Sequence, residues 1–154
     1  MLISRYDPLE HGDLAALICV DRPDIQAVII EQLSLLSFNI HTAHDREEAE
    51  LRLHERVYEI VVVQSTFAGG DVESNPALDA LAHLPLDQRR HSYVVLVGRE
   101  LEGRSEMEAF RHGVDLTLRE EGLDELKITA GRGIVRQESL YAAFHAVRKM
   151  ALGA

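Results

Sequence analysis

Cysteine is almost absent. Cys19 is the one thiol among 154 residues, so no disulfide can close within the chain. It lies inside an apolar run, where a lone thiol serves as a small buried hydrophobe. A chain without disulfides fits a reducing compartment, and a cytoplasmic location is the expectation. Long apolar runs are missing too: none approaches the roughly 20 residues needed to span a bilayer. The opening residues, Met1 to Pro8, carry no cleavage pattern, and no membrane partner is expected. Basic residues are few, 16 against 26 acidic ones, giving a net charge of -10. Such a field repels a phosphate backbone, so nucleic acid is not an expected partner. Glycine fingerprints of the G-x-G-x-x-G kind, a G-x-S-x-G elbow and triad spacing are all lacking, which argues against a nucleotide cradle and a serine hydrolase. Eight histidines are scattered: His11, His41, His44, His54, His83, His91, His112 and His145. None pairs with another at i+4 beside an acid in ligand spacing. His41 and His44 are the two that could meet. No metal, no cofactor and no enzymatic activity are expected.

What is present is a repeating alternation of apolar runs and helical stripes. Ile60 to Val63 is an unbroken β-branched run, read as a strand buried on both faces at the centre of a parallel sheet. Leu14–Val20, Phe38–Ala43, Tyr93–Val97 and Val114–Leu118 give four more strands. Pro23 suits the first turn of a helix that runs to about Ser37, with Ile25, Val28, Ile29, Leu33 and Leu36 as its stripe. Asp45 with Glu48 is a capping box for the next helix, whose stripe is Ala49, Leu53 and Val57. Asn75 followed by Pro76 opens a third helix with Leu78, Leu81 and Leu84. Residues 87–91 read as a polar link. Ser105 with Glu108 opens a short helix with Met107 and Phe110 turned inward, stopped by Gly113. Gly69-Gly70 reads as a plain turn.

Residues 1–13, broken by Pro8 and Gly12, form a lead-in. Leu140, Tyr141, Phe144 and Val147 place a helix over 138–151. Residues 123–137 fit either an extension of that helix or a hairpin around Gly131-Arg-Gly133; a long, kinked helix is favoured, at about 1 kcal/mol for each glycine. Five strands alternating with helices imply an α/β, doubly wound parallel sheet in one domain over 1–154, with a core at 14–119 and a C-terminal extension at 120–154.

From Leu17 to Arg119 the sequence resembles the CheY-like receiver domain of two-component response regulators. The likeness rests on ICVDRPDIQAVIIEQLSLLSFNIHTAHDREEAELRL, then EIVVVQS, SYVVLVG and AFRHGVDLTL. It implies a flavodoxin-like sheet of order 2-1-3-4-5, with helices one and five on one face and two, three and four on the other. Receivers accept a phosphoryl group from a histidine kinase on an aspartate at the end of strand three. Acids after strand one hold Mg²⁺, and a hydroxyl after strand four and a lysine after strand five bind the phosphate.

The matching positions here depart from that set. Gln64 stands at the nucleophile position, and an amide cannot form an acyl phosphate. The acid pair is Asp21-Arg22, with a guanidinium where the second acid would sit. Asp21 is expected to pair with Arg22 or Arg119, or to cap the first helix. Val97 replaces the hydroxyl, and Arg119, counted without gaps, replaces the lysine, followed by Glu120 and Glu121. The resemblance therefore implies a degenerate receiver, a pseudo-receiver that works by protein contact without phosphorylation. Receivers signal through helix four, strand five and helix five, which here carry Phe110, His112, Thr117, Leu140, Tyr141 and Phe144. The expected partner is a protein, including a second copy docked through the last helix. Two alternatives stay open: a small-molecule-binding α/β domain using the same strand-edge pocket, and an atypical receiver phosphorylated elsewhere. The chain is either a stand-alone adaptor or part of a longer protein.

Overall fold

The computed structural model describes residues 14–151, so the lead-in over 1–13 lies outside the described residues. The strands are β1 (Ala15–Cys19), β2 (Asn39–Thr42), β3 (Ile60–Gln64), β4 (Tyr93–Val97) and β5 (Leu116–Leu118). They pair in parallel in the order β2-β1-β3-β4-β5, as expected. Every residue of β1, β3 and β4 is buried, which is why those segments read as continuous apolar runs and not as alternating ones. The helices are α1 (Pro23–Ser34), α2 (Arg46–Glu55), α3 (Pro76–Ala82), α4 (Leu86–Arg89), α5 (Glu106–His112) and α6 (Leu126–Ala151).

The pleat divides the sheet into two cores. Leu17, Cys19, Val61, Val63, Val94 and Leu96 face α2, α3 and α5 through Leu53, Leu81 and Ala109. Ile18, Ile60, Val62, Val95 and Val97 face α1 and α6 through Ile25, Ile29, Leu33, Leu126 and Ala130. The short α4 stands where a polar link was expected, so the helix facing β5 is α5 and the terminal one is α6. Residues 126–151 form one helix rather than a hairpin, entered through a 3₁₀ segment at Glu120–Glu125. Gly133 has a packing reason to be glycine: a Cβ there would run into the Tyr93 ring, which α6 crosses.

One local expectation, the inward face of α5, needs correction. Asp45 does cap α2 through Glu48 N–H at 2.8 Å, and Ser105 caps α5 through Glu108 N–H at 3.2 Å. The Glu108 carboxylate, however, accepts from Glu102 N–H at 2.8 Å and Gly103 N–H at 3.0 Å. Anchoring that carboxylate to the loop turns Glu108 and Ala109 toward the sheet and leaves Met107 and Phe110 outside, 75% and 84% exposed. Met107 and Phe110 are therefore not core residues.

Candidate functional site

In an open parallel sheet the working site lies beyond the carboxyl ends of the strands. Here that edge is built around Gln64. Its side chain is 1% exposed, and its Oε1 accepts the backbone N–H of Asp21 at 3.0 Å and, more weakly, that of Arg22 at 3.5 Å. The amide thus fastens the turn after β1 to the end of β3. Asn75 works from the other side. Its Nδ2 donates to the carbonyls of Gln64 and Ser65 at 2.9 and 3.0 Å, and its Oδ1 caps α3 through the N–H groups of Ala77 and Leu78.

Asp21 has a role the sequence did not suggest. Its carboxylate accepts the N–H of Ala68 at 2.8 Å, in the 3₁₀ turn Phe67–Gly69 that follows β3. Ala68 holds a left-handed φ of 53°, so this bond helps stabilise a backbone that a non-glycine residue seldom adopts. Among the described ion pairs Asp21 meets neither Arg22 nor Arg119, and the N-cap of α1 is Arg22, which makes no side-chain cap hydrogen bond.

A cleft of about 240 Å³ opens beside Gln64, lined by Arg22, Ser65, Thr66, Arg99, Glu100 and Glu120. Its mouth is bridged by charge. Glu120 accepts from Arg22 Nη1 at 2.7 Å and from Arg99 Nε at 3.2 Å, joining the turns after β1, β4 and β5. Arg22 also pairs with Asp24 at 2.6 Å, and Ser65 Oγ donates to Glu100 at 2.8 Å. Arg119 turns away, to Glu121 at 2.6 Å and the Leu101 carbonyl at 3.4 Å. The residue after β5 that lines the cleft is Glu120, not Arg119. Val97 likewise lies outside the cleft, buried in the core against α1 and α6. Gly98 follows it, and a Cβ there would run into Glu100 Oε1 and lie 2.6 Å from Ser65 Oγ, so these two cleft-lining side chains would have to shift.

The chemistry of this edge follows from its groups. An amide at Gln64 offers no nucleophilic oxygen of the carboxylate kind. The two guanidinium groups at the mouth, Arg22 and Arg99, are paired with Glu120 and so engage that carboxylate. No group of three or more His, Cys, Asp or Glu residues among the described residues is placed to hold a metal ion. His41 lies with Nδ1 2.7 Å from the Tyr58 hydroxyl. Replacing Gln64 with methionine, of similar size, removes the acceptor for the Asp21 and Arg22 N–H groups. It should cost about 1–3 kcal/mol in urea unfolding. Cys19, nearby on β1, is 1% exposed, and burial, with the charges of Asp21 and Glu48, pushes its thiol up to about 12. A disulfide reagent at pH near 8 should leave the native thiol untouched and titrate one thiol in denaturant.

No family model matches the sequence, and no curated protein matches it at a significant level. Solved structures do. NtrX from Brucella abortus is 20% identical with a TM-score of 0.68, over 88% of this chain and 29% of that one. The signal receiver domain of an HD domain-containing protein from Pseudomonas fluorescens Pf-5 is 18% identical with a TM-score of 0.65, over 84% of this chain and 92% of that one. A CheY-like receiver domain protein from Methanospirillum hungatei JF-1 is 13% identical with a TM-score of 0.63, over 82% and 97%. The chain has the receiver fold.

On this receiver fold the surface expected to signal divides. Phe110 is exposed and His112 half-buried at the end of α5. Thr117 is not a surface residue: it is completely buried in β5. Its hydroxyl makes no hydrogen bond of regular geometry, yet it lies close enough to the Glu108 carboxylate to favour the ionised form. Burial alone would raise the Glu108 carboxyl, but the Glu102 and Gly103 N–H groups, Thr117 and His112 together hold it below the usual carboxylate range. Leu140 is exposed on α6, while the side chains of Tyr141 and Phe144 lie outside the described residues. No described helix of this receiver fold is long and apolar enough to cross a membrane.

Proposed function

We propose that this chain is a pseudo-receiver, a two-component signalling module that acts through protein contact without a phosphoryl switch. The observation that carries the reading is the cleft. The position a phosphoacceptor would occupy holds a buried amide committed to the β1–α1 turn. Glu120 bridges Arg22 and Arg99 where a metal and a phosphoryl group would otherwise enter. Each contact links two strand ends, so the edge is braced in one state without a ligand. The exposed apolar side chains of α5 and α6 supply the contact surface, and a second copy is the partner they suit best.

Thermal melting with Mg²⁺ and beryllium fluoride, which mimics an aspartyl phosphate, tests the chemistry. The expected result is an unchanged melting temperature. A rise of several degrees, saturating with the fluoride, would mean that a carboxylate in the cleft takes the mimic and would contradict the reading.

A further inference from the structure

At the mouth of the cleft one carboxylate serves two guanidinium groups. Arg22 Nη1 at 2.7 Å and Arg99 Nε at 3.2 Å both donate to the same oxygen, Glu120 Oε1. The Glu120 side chain is 13% exposed and that of Arg99 is 73% exposed, so the acid is the enclosed partner and one of the bases reaches water. A third donor stands in the wall. Gln64 is buried and lines the cleft, and its Oε1 is turned to the N–H groups of Asp21 and Arg22. Because both of those partners are donors, the orientation of the amide is fixed. No described residue accepts from its Nε2. Thr66 adds a hydroxyl to the lining.

A carboxylate is a poor match for this set. One of its oxygens takes two guanidinium donors, and the Gln64 amide N–H₂ is left over. A tetrahedral oxyanion has an oxygen for each donor, and guanidinium groups bind such oxygens with directed, charge-assisted bonds. Two acids oppose a guest of this kind. Asp24 holds Arg22 at 2.6 Å through Nη2, which leaves Nη1 for the cleft. Glu100, which accepts from Ser65 Oγ at 2.8 Å, adds negative charge to the lining.

We infer that Arg22, Arg99 and the Gln64 amide form a non-covalent site for an oxyanion of the phosphate and sulfate class, and that the chain fills it with its own Glu120 carboxylate. The inference rests on the pseudo-receiver reading and deepens it. The turns after β1, β4 and β5 are held together by an anion that the chain itself carries, and a free oxyanion gains the site only by displacing it. The rival is a plain ion-pair brace with no affinity for a guest. A carboxylate on the same chain competes at a high effective concentration, so the native chain binds a free oxyanion at least about tenfold more weakly than a chain without that carboxylate.

Melting curves of the whole chain with Glu120→Ala test this, titrated with sodium sulfate while sodium chloride keeps the ionic strength constant. Sulfate cannot transfer a phosphoryl group, so the result does not depend on whether the cleft can form an acyl phosphate. Failure of the pseudo-receiver reading would show as a covalent adduct, which sulfate never gives. Glu120→Ala should melt below the wild type, and sulfate should restore part of the loss along a saturating curve. The midpoint of that curve should lie at least about tenfold below that of any wild-type response. Adding Arg99→Gln, at an exposed position, should abolish the restoration; adding Glu100→Gln instead should lower the midpoint. A response that rises without saturating, or that is equal in the Arg99→Gln double variant, would be general salting of the surface and would overturn the site. No response in Glu120→Ala would overturn it too. If circular dichroism shows Glu120→Ala unfolded, Glu120→Gln, which keeps the shape and removes the charge, carries the same comparison.

Discussion

Phe67→Ala should lower the free energy of unfolding by about 3–5 kcal/mol, the largest single effect expected at this site. Phe67 is completely buried among Leu17, Val63, Leu81 and Leu96 in the core against α2, α3 and α5. It is also the first residue of the 3₁₀ turn whose Ala68 N–H is held by Asp21. Truncation leaves a cavity in that core and releases the anchor of the turn. Urea unfolding gives the magnitude. Amide exchange at Ala68 should quicken by more than global destabilisation alone explains, because the loop opens locally as well. A loss below about 1 kcal/mol would mean that the turn is seated by its hydrogen bonds and not by the ring.

Gly133→Val should cost about 2–4 kcal/mol, although it places a better helix former than glycine in α6. The cost is steric. A side chain at 133 meets the hydroxyl and outer ring atoms of Tyr93, which is itself buried at the start of β4. Relief requires the ring to leave its site or α6 to lift from the sheet. Gly131→Ala is the matched control: nothing lies within 4 Å of its would-be Cβ, so that change should be neutral or stabilising by up to about 1 kcal/mol. Equal effects of the two substitutions would show that α6 does not pack on Tyr93 as described.

The fold was legible because the strands are buried on both faces. Ile60–Val63 and Tyr93–Val97 announce themselves as apolar runs whatever surrounds them, and the caps at Asp45, Asn75 and Ser105 mark helix starts by local chemistry alone. The cleft was legible only in part. Gln64 stands at a strand end that its own run defines. Arg99, Glu100 and Glu120 were missed because each follows a strand by two or three residues, where a shift of one position exchanges a cleft residue for a surface one. Arg119 and Glu120 are adjacent in sequence, yet one faces Glu121 and the other Arg22. A hint was available in the run of charges after β4 and β5, which a simple loop does not need. Met107 and Phe110 misled for a different reason: helical spacing cannot show which face a helix buries when a charged residue, here Glu108, is the one anchored inward.

Tertiary geometry likewise decides the role of Asp21. Its contact with Ala68 spans 47 residues, and no local rule anticipates it.

With Gln64 at the end of β3, this receiver fold is expected to have no phosphoryl chemistry of its own. Incubation with acetyl phosphate and Mg²⁺, followed by intact mass spectrometry, tests it most directly. The account predicts an unmodified chain at all times of incubation; an adduct of one phosphoryl group, labile to hydroxylamine as an acyl phosphate is, would contradict it.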